Sequence, residues 1–161
     1  MGGLQNRDMA LRLARGGAEL NRHLQNEFTR AATLAAARTQ AKILGASTRH
    51  PGALRAQIAA TVSARARTGT YGVQAEIRSA GSRMPAGEKN LPAYANAGQA
   101  RWRRWRHPVY QTARNPDTWV TQDWPSAHGW FDDTIRAAAP SFTAAAETAI
   151  RQTSAYLEGR T

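Results

Sequence analysis

The residues able to do acid–base or metal chemistry are few and scattered. The chain has four histidines, eleven carboxylates and no cysteine. His23, His50, His107 and His128 are far apart in sequence, and no His-Glu-x-x-His or similar ligand spacing occurs. Asp132 and Asp133 are adjacent, so on a helix they point to different sides. That pair reads as a helix cap, with negative charge at the positive end of the dipole. No glycine-rich phosphate loop and no Gly-x-Ser-x-Gly elbow is present. The inventory predicts no enzyme, no metal site and no cofactor.

The densest chemistry is of another kind. Arg101, Trp102, Arg103, Arg104, Trp105, Arg106 and His107 form one uninterrupted cluster. Guanidinium groups can hold phosphates while indoles stack on bases, which is one use of such a run. Trp and Arg are also the residues that dominate protein interfaces. A third reading packs both indoles inward and leaves the arginines solvated. The interface reading is preferred. Three further aromatics, Trp124, Trp130 and Phe131, lie close to Pro125 and Gly129 and join the candidate interface set. Trp130-Phe131 stands just before a helix, as a hydrophobic staple or as an anchor pushed into a neighbour. Trp119 reads as core.

Charge and composition point the same way. The net charge is +11, and only Lys42 and Lys89 among the basic residues are lysines. Residues 1–50 carry +5, residues 51–115 carry +9 and residues 116–161 carry −3. A chain basic in its middle and acidic at its end suits head-to-tail contact between identical subunits, or docking on an acidic neighbour. Of the apolar residues 33 are alanine, and Leu, Ile, Val and Phe number only 22 of 161. Alanine favours helix but buries little area. The core is therefore thin, and partner subunits are expected to supply buried surface. No run approaches the roughly 18 apolar residues of a membrane span. Met1–Arg15 lacks the apolar stretch of a secretion signal, which predicts a protein kept, or assembled, in the cytoplasm that makes it.

These residues need a scaffold, and the length of 161 residues suits one domain, 1–161. Asp8–Arg15 reads as a short helix within an N-terminal arm, 1–16, ended by Gly16-Gly17. A longer helix from Ala18 to Leu44 follows, with Leu20, Leu24, Phe28, Ala31, Ala35 and Ile43 on one face and Arg22, Arg30 and Arg38 on the other. Gly45 suits its C-cap. Ala53–Ala60 is a short helix or the start of a strand. Thr61–Thr68 and Val73–Arg78 alternate as two strands about a Gly69-Thr70-Tyr71-Gly72 turn. Residues 80–100 read as a mobile loop, densest in Gly and Pro up to 92. Trp119–Gln122 is another strand. A last helix carries Phe131, Ile135, Ala139, Phe142, Ala146, Ala149, Thr153 and Tyr156 at spacings of three and four, with Pro140 expected to kink or restart it. The sum is an α+β fold: a long N-terminal helix, a small antiparallel or mixed sheet of three to four strands, and a C-terminal amphipathic helix.

One ordered set of strings carries a resemblance. Arg106-His107-Pro108-Val109-Tyr110, Trp119-Val120-Thr121-Gln122, Gly129-Trp130-Phe131-Asp132-Asp133-Thr134-Ile135 and Ala139-Pro140 together resemble the small neck or tail-completion proteins of long-tailed phages, especially those of actinobacterial hosts. The match covers about residues 104–142. The long Ala- and Arg-rich helix leading to Thr68-Gly69 is similar in layout only. Residues 80–100 are longer than the family pattern, and the Tyr110–Trp119 loop lacks its compact glycine turn. The resemblance implies a non-enzymatic virion protein, made in the host bacterial cytoplasm. It implies a homo-oligomeric ring, six copies by the symmetry of such tails, at the head–tail joint as terminator or adaptor. Its neighbours would be the connector or stopper and the tail-tube proteins, with genomic DNA passing through without sequence-specific binding and no membrane involved. The alternative is a free basic nucleic-acid-binding protein that uses the Arg-Trp cluster.

Overall fold

The computed structural model describes residues 2–47, 52–70, 72–102, 105–107, 120–122 and 124–159, with side-chain environments for 14–47, 53–70, 72–97 and 124–159. The elements in chain order are α1 (Gly2–Leu44), α2 (Gly52–Ala60), β1 (Val62–Gly69), β2 (Gly72–Ser79), α3 (Leu91–Trp102), β3 (Trp105–His107), β4 (Val120–Gln122) and α4 (Asp132–Leu157). Gly81–Arg83 and Pro125–Ala127 are single 3-10 turns. The fold is α+β, with the long helix first and the amphipathic helix last.

Among the described residues the strands form two two-stranded sheets, β1 with β2 and β3 with β4, and one sheet of three or four strands is not shown. Only two residues link β1 to β2, so the pair is antiparallel. The amide of Ala80 donates to Thr61 O at 3.0 Å beyond the strand ends. Arg65 Nε donates to Glu76 Oε2 at 2.6 Å across the pair. Gly72, at φ 106°, provides the left-handed residue that the turn needs. In the second sheet β3 and β4 are antiparallel, with Trp105 opposite Gln122, Arg106 opposite Thr121 and His107 opposite Val120. Helix α3 ends only two residues before β3.

The length suits one domain, but the contacts divide the chain into two compact units. One holds Met1–Leu34, Ala64–Ile77 and Ala138–Thr161; the other holds Ala35–Ser63 and Arg78–Ala137. The first unit is the thinner. Among the described residues its buried apolar side chains are Ala32, Ala138, Ala145 and Ala149. The half-buried rings of Phe28 and Phe142 meet edge to face at 5.9 Å. The second unit has a fuller core, with Trp130, Ile43 and Ile58 each completely buried and Met84, Leu91 and Val62 nearly so. The buried threonines are satisfied locally. Thr39, Thr61 and Thr153 each return a hydroxyl bond to a carbonyl three or four residues earlier.

Three local expectations change. Gly16-Gly17 does not end a helix, since α1 runs unbroken from Gly2 to Leu44. Gly16 is buried, and a Cβ there would stand 3.4 Å from Leu157 Cδ1. A Cβ would thus meet that neighbour in ordinary van der Waals contact, and a larger side chain would press on it. Pro140 lies inside α4, which neither stops nor restarts there, although the proline leaves the Arg136 carbonyl without its helical partner. Residues 80–100 are not one long loop. A side chain at Gly81 would collide with the Lys89 carbonyl, so the segment folds tightly on itself, and from Leu91 it is helix. Gly45 does follow the end of α1, its amide donating to Ala41 O at 2.9 Å.

The two glycines of α1 give a paired prediction. Gly17 has open space around it, so Gly17→Ala should stabilise by about 0.5–1 kcal/mol through helix propensity alone. Gly16→Leu should destabilise by crowding Leu157. Thermal melts followed by far-UV circular dichroism read both; equal effects at the two positions would contradict this assignment.

Candidate functional site

The sequence nominates ten interface residues, and the fold separates them. Arg101 and Trp102 close α3, and Trp105, Arg106 and His107 make up β3. Arg103 and Arg104 lie outside the described residues, as do Trp119 and the polar turn at 115–117. The cluster therefore spans a helix end and a strand, a backbone that splits one linear string into two geometries.

Trp130 is not a surface anchor. It is fully buried in the second unit, with its Nε1 donating to Pro92 O of α3 at 3.2 Å. Phe131, half-buried, meets it edge to face at 5.6 Å. Trp124 is half-buried as well. Its Nε1 donates to Ser47 O at 2.7 Å, and Ser126 Oγ donates to the same carbonyl at 2.7 Å. Just before it in sequence, Arg55 Nη1 donates to Leu44 O and Ala46 O at 3.1 and 2.9 Å. The exit from α1 is thus held by a cation on its terminal carbonyls and by an indole and a hydroxyl one step further on.

The residue that sequence reasoning missed is Asn96. Its Oδ1 accepts the amides of Phe131 and Asp132 at 2.9 and 3.1 Å. Its Nδ2 donates to Asp132 Oδ2 at 2.8 Å, and its own carbonyl accepts the Gly129 amide at 2.9 Å. The start of α4 is therefore held from α3, and one asparagine uses both ends of its amide to do it. The expected aspartate caps take other parts. Asp132 receives Asn96, and Asp133 pairs with Arg136 at 2.9 Å, both still in the first turn where negative charge is favoured. Gly129 adopts φ 65°, and a side chain there would run into the Asp133 carboxylate. Nothing in the sequence marks Asn96, because its partners lie more than thirty residues away.

These bonds explain the Gly129–Asp133 string without reference to any partner. The glycine turns the chain, the tryptophan fills the core, and the next two amides are capped in trans. No known family model, curated protein or solved structure matches this chain.

Among the described residues no group of three His, Asp or Glu side chains is gathered that could hold a metal ion, and no helix is long and apolar enough to cross a membrane. By contrast Leu34, Leu44, Ile150, Tyr156 and Leu157 all stand substantially exposed on the two long helices. All but Leu44 belong to the unit whose buried apolar side chains are alanines.

Proposed function

We propose that the chain is a non-enzymatic structural subunit of a phage particle, forming a ring of six copies at the head–tail joint. Its neighbours on either side are the connector or stopper and the tail tube, and DNA passes through without being read. The supporting observation is the inversion in the first unit: small side chains inside, Leu34, Ile150 and Leu157 outside. An isolated monomer gains nothing from that arrangement, whereas an assembly subunit covers those groups on joining. The placement at the joint rests on the ordered His-Pro-Val, Trp-Val-Thr-Gln and Gly-Trp-Phe strings.

The charge fits this reading. A channel coated with arginine would retain DNA, so the ring reading puts most of the twenty arginines at subunit contacts and on the outer wall. The sheet of three to four strands expected from the sequence would then form by edge pairing between ribbons of neighbouring copies, since two-stranded ribbons leave edges open.

Deleting the coding sequence from its phage is the functional test. DNA-filled heads and unjoined tails are the expected products. Intact, infectious particles from the deletion would refute the proposal, and a defect confined to DNA replication would favour the nucleic-acid-binding alternative.

A further inference from the structure

Two strips on different helices, exposed except at the half-buried Ala146, share one spacing over their first three residues. On α1, Leu34, Ala37, Ala41 and Leu44 follow each other at three, four and three residues and are all exposed, the two leucines at 49% and 47%. On α4, Thr143, Ala146, Ile150 and Leu157 follow at three, four and seven, with Ile150 and Leu157 each 55% exposed. This is the heptad pattern of helices that pack side by side, knobs into holes. On α4 the strip adjoins the buried row of Ala138, Ala145, Ala149 and Thr153 and the half-buried Phe142, so the apolar arc is wider than the chain itself covers.

The flanks differ in sign. Arg38 and Lys42 run one turn apart beside the α1 strip, exposed and without an acidic partner among the described residues. Glu147 and Glu158 run beside the α4 strip, both exposed. Arg151 shares that flank, donating to Thr148 Oγ1 at 3.0 Å, so the α4 flank keeps a net negative charge smaller than its two glutamates alone would give. The other exposed arginines of α1 in this region do have local acids, Arg22 with Glu19 and Arg30 with Glu27. An apolar strip with a basic flank and one with an acidic flank, at the same period, are complementary surfaces.

We infer that the α1 strip of one copy docks on the α4 strip of a second copy of this chain. Two unlike strips meeting close either as a twofold pair, with both α1–α4 contacts formed at once, or as a heterologous contact that passes round a ring, and six copies in one ring require the second. In that respect the inference rests on the proposed ring, and it adds which faces of the subunit join. Small residues at Ala37, Ala41 and Ala146 let the helix axes come close, while Leu34, Leu44, Ile150 and Leu157 supply the area.

The absence of cysteine makes the test clean. Ala41→Cys and Ile150→Cys stand near the middle of each strip, so they approach whichever way the helices run. Full-length chains carrying one or the other, mixed and treated with a short bismaleimide, should give a heterodimer band that neither gives alone. Glu147→Arg in the Ile150→Cys chain should cut the yield roughly two- to fivefold, and Arg38→Glu in the Ala41→Cys chain should restore it. No crosslink in the mixture, or equal crosslinking of Ala41→Cys by itself, overturns the inference. Native mass spectrometry of the unmodified chain separates the two claims. A closed ring without the crosslink removes the strips and keeps the ring; the crosslink with only open-ended chains of copies keeps the strips and removes the ring.

Discussion

Replacing Trp130 by alanine is expected to lower the stability of the second unit by about 3–5 kcal/mol. Among the described residues the indole is the largest wholly buried side chain, followed by Ile43 and Ile58. Truncating it removes more buried area than any other single change to those residues. Trp130→Phe separates packing from polarity. It keeps most of the apolar area and loses the bond to Pro92 O, a carbonyl that α3 also engages, so its cost should be only about 0.5–1.5 kcal/mol. Urea unfolding followed by near-ultraviolet and far-ultraviolet circular dichroism measures both. The near-ultraviolet transition should move first in Trp130→Ala, because the affected unit carries the signal. A loss below about 1 kcal/mol would mean that Trp130 serves a surface and not the core.

The second large effect belongs to Asn96. Asn96→Ala removes the acceptor of two helix-start amides and the donor to Asp132 together, an expected loss of about 2–3 kcal/mol. Asn96→Asp tests the geometry more sharply. It keeps an oxygen for the amides but sets a carboxylate against Asp132, where a donor stood at 2.8 Å. The variant should be destabilised, less so in high salt, since screening weakens like-charge repulsion. Adding Asp132→Asn returns an amide donor to the pair and should recover much of the loss, and a double-mutant cycle reads that coupling directly. Additive effects of the two changes would show that the side chains do not meet.

What the sequence made legible follows from how local each feature is. The α1 stripe of Leu20, Leu24, Phe28, Ala35 and Ile43 lies on the inward side, with Arg22, Arg30 and Arg38 outside, because a helical period is written in consecutive residues. The β1–β2 hairpin was legible for the same reason, from alternation on both sides of a glycine turn. Features set by distant partners were not. Gly16-Gly17 looks like a helix stop until Leu157 is seen beside it. The buried row of α4 runs through Ala138, Ala145 and Ala149, whereas the sequence stripe named Ala139 and Ala146 in place of Ala138 and Ala145. In a helix so rich in alanine the moment is shallow, and only packing decides which alanines turn inward. Trp130 was open to both core and interface, and a type of residue prominent in each role cannot be assigned without its surroundings.

The same locality bears on function. Part of the string that resembles phage neck proteins, Gly129 to Asp133, is explained by internal demands of the fold. The adhesive features lie elsewhere, on the outer faces of α1 and α4, where no short motif announces them.

The most direct measurement is a reconstruction of an intact particle that carries this chain, with its copies located and counted. The account predicts six copies in one closed ring where the tail meets the head, with the Leu34–Leu44 face of each against the Thr143–Leu157 face of the next. Copies placed in the capsid shell or at the tail tip would contradict it.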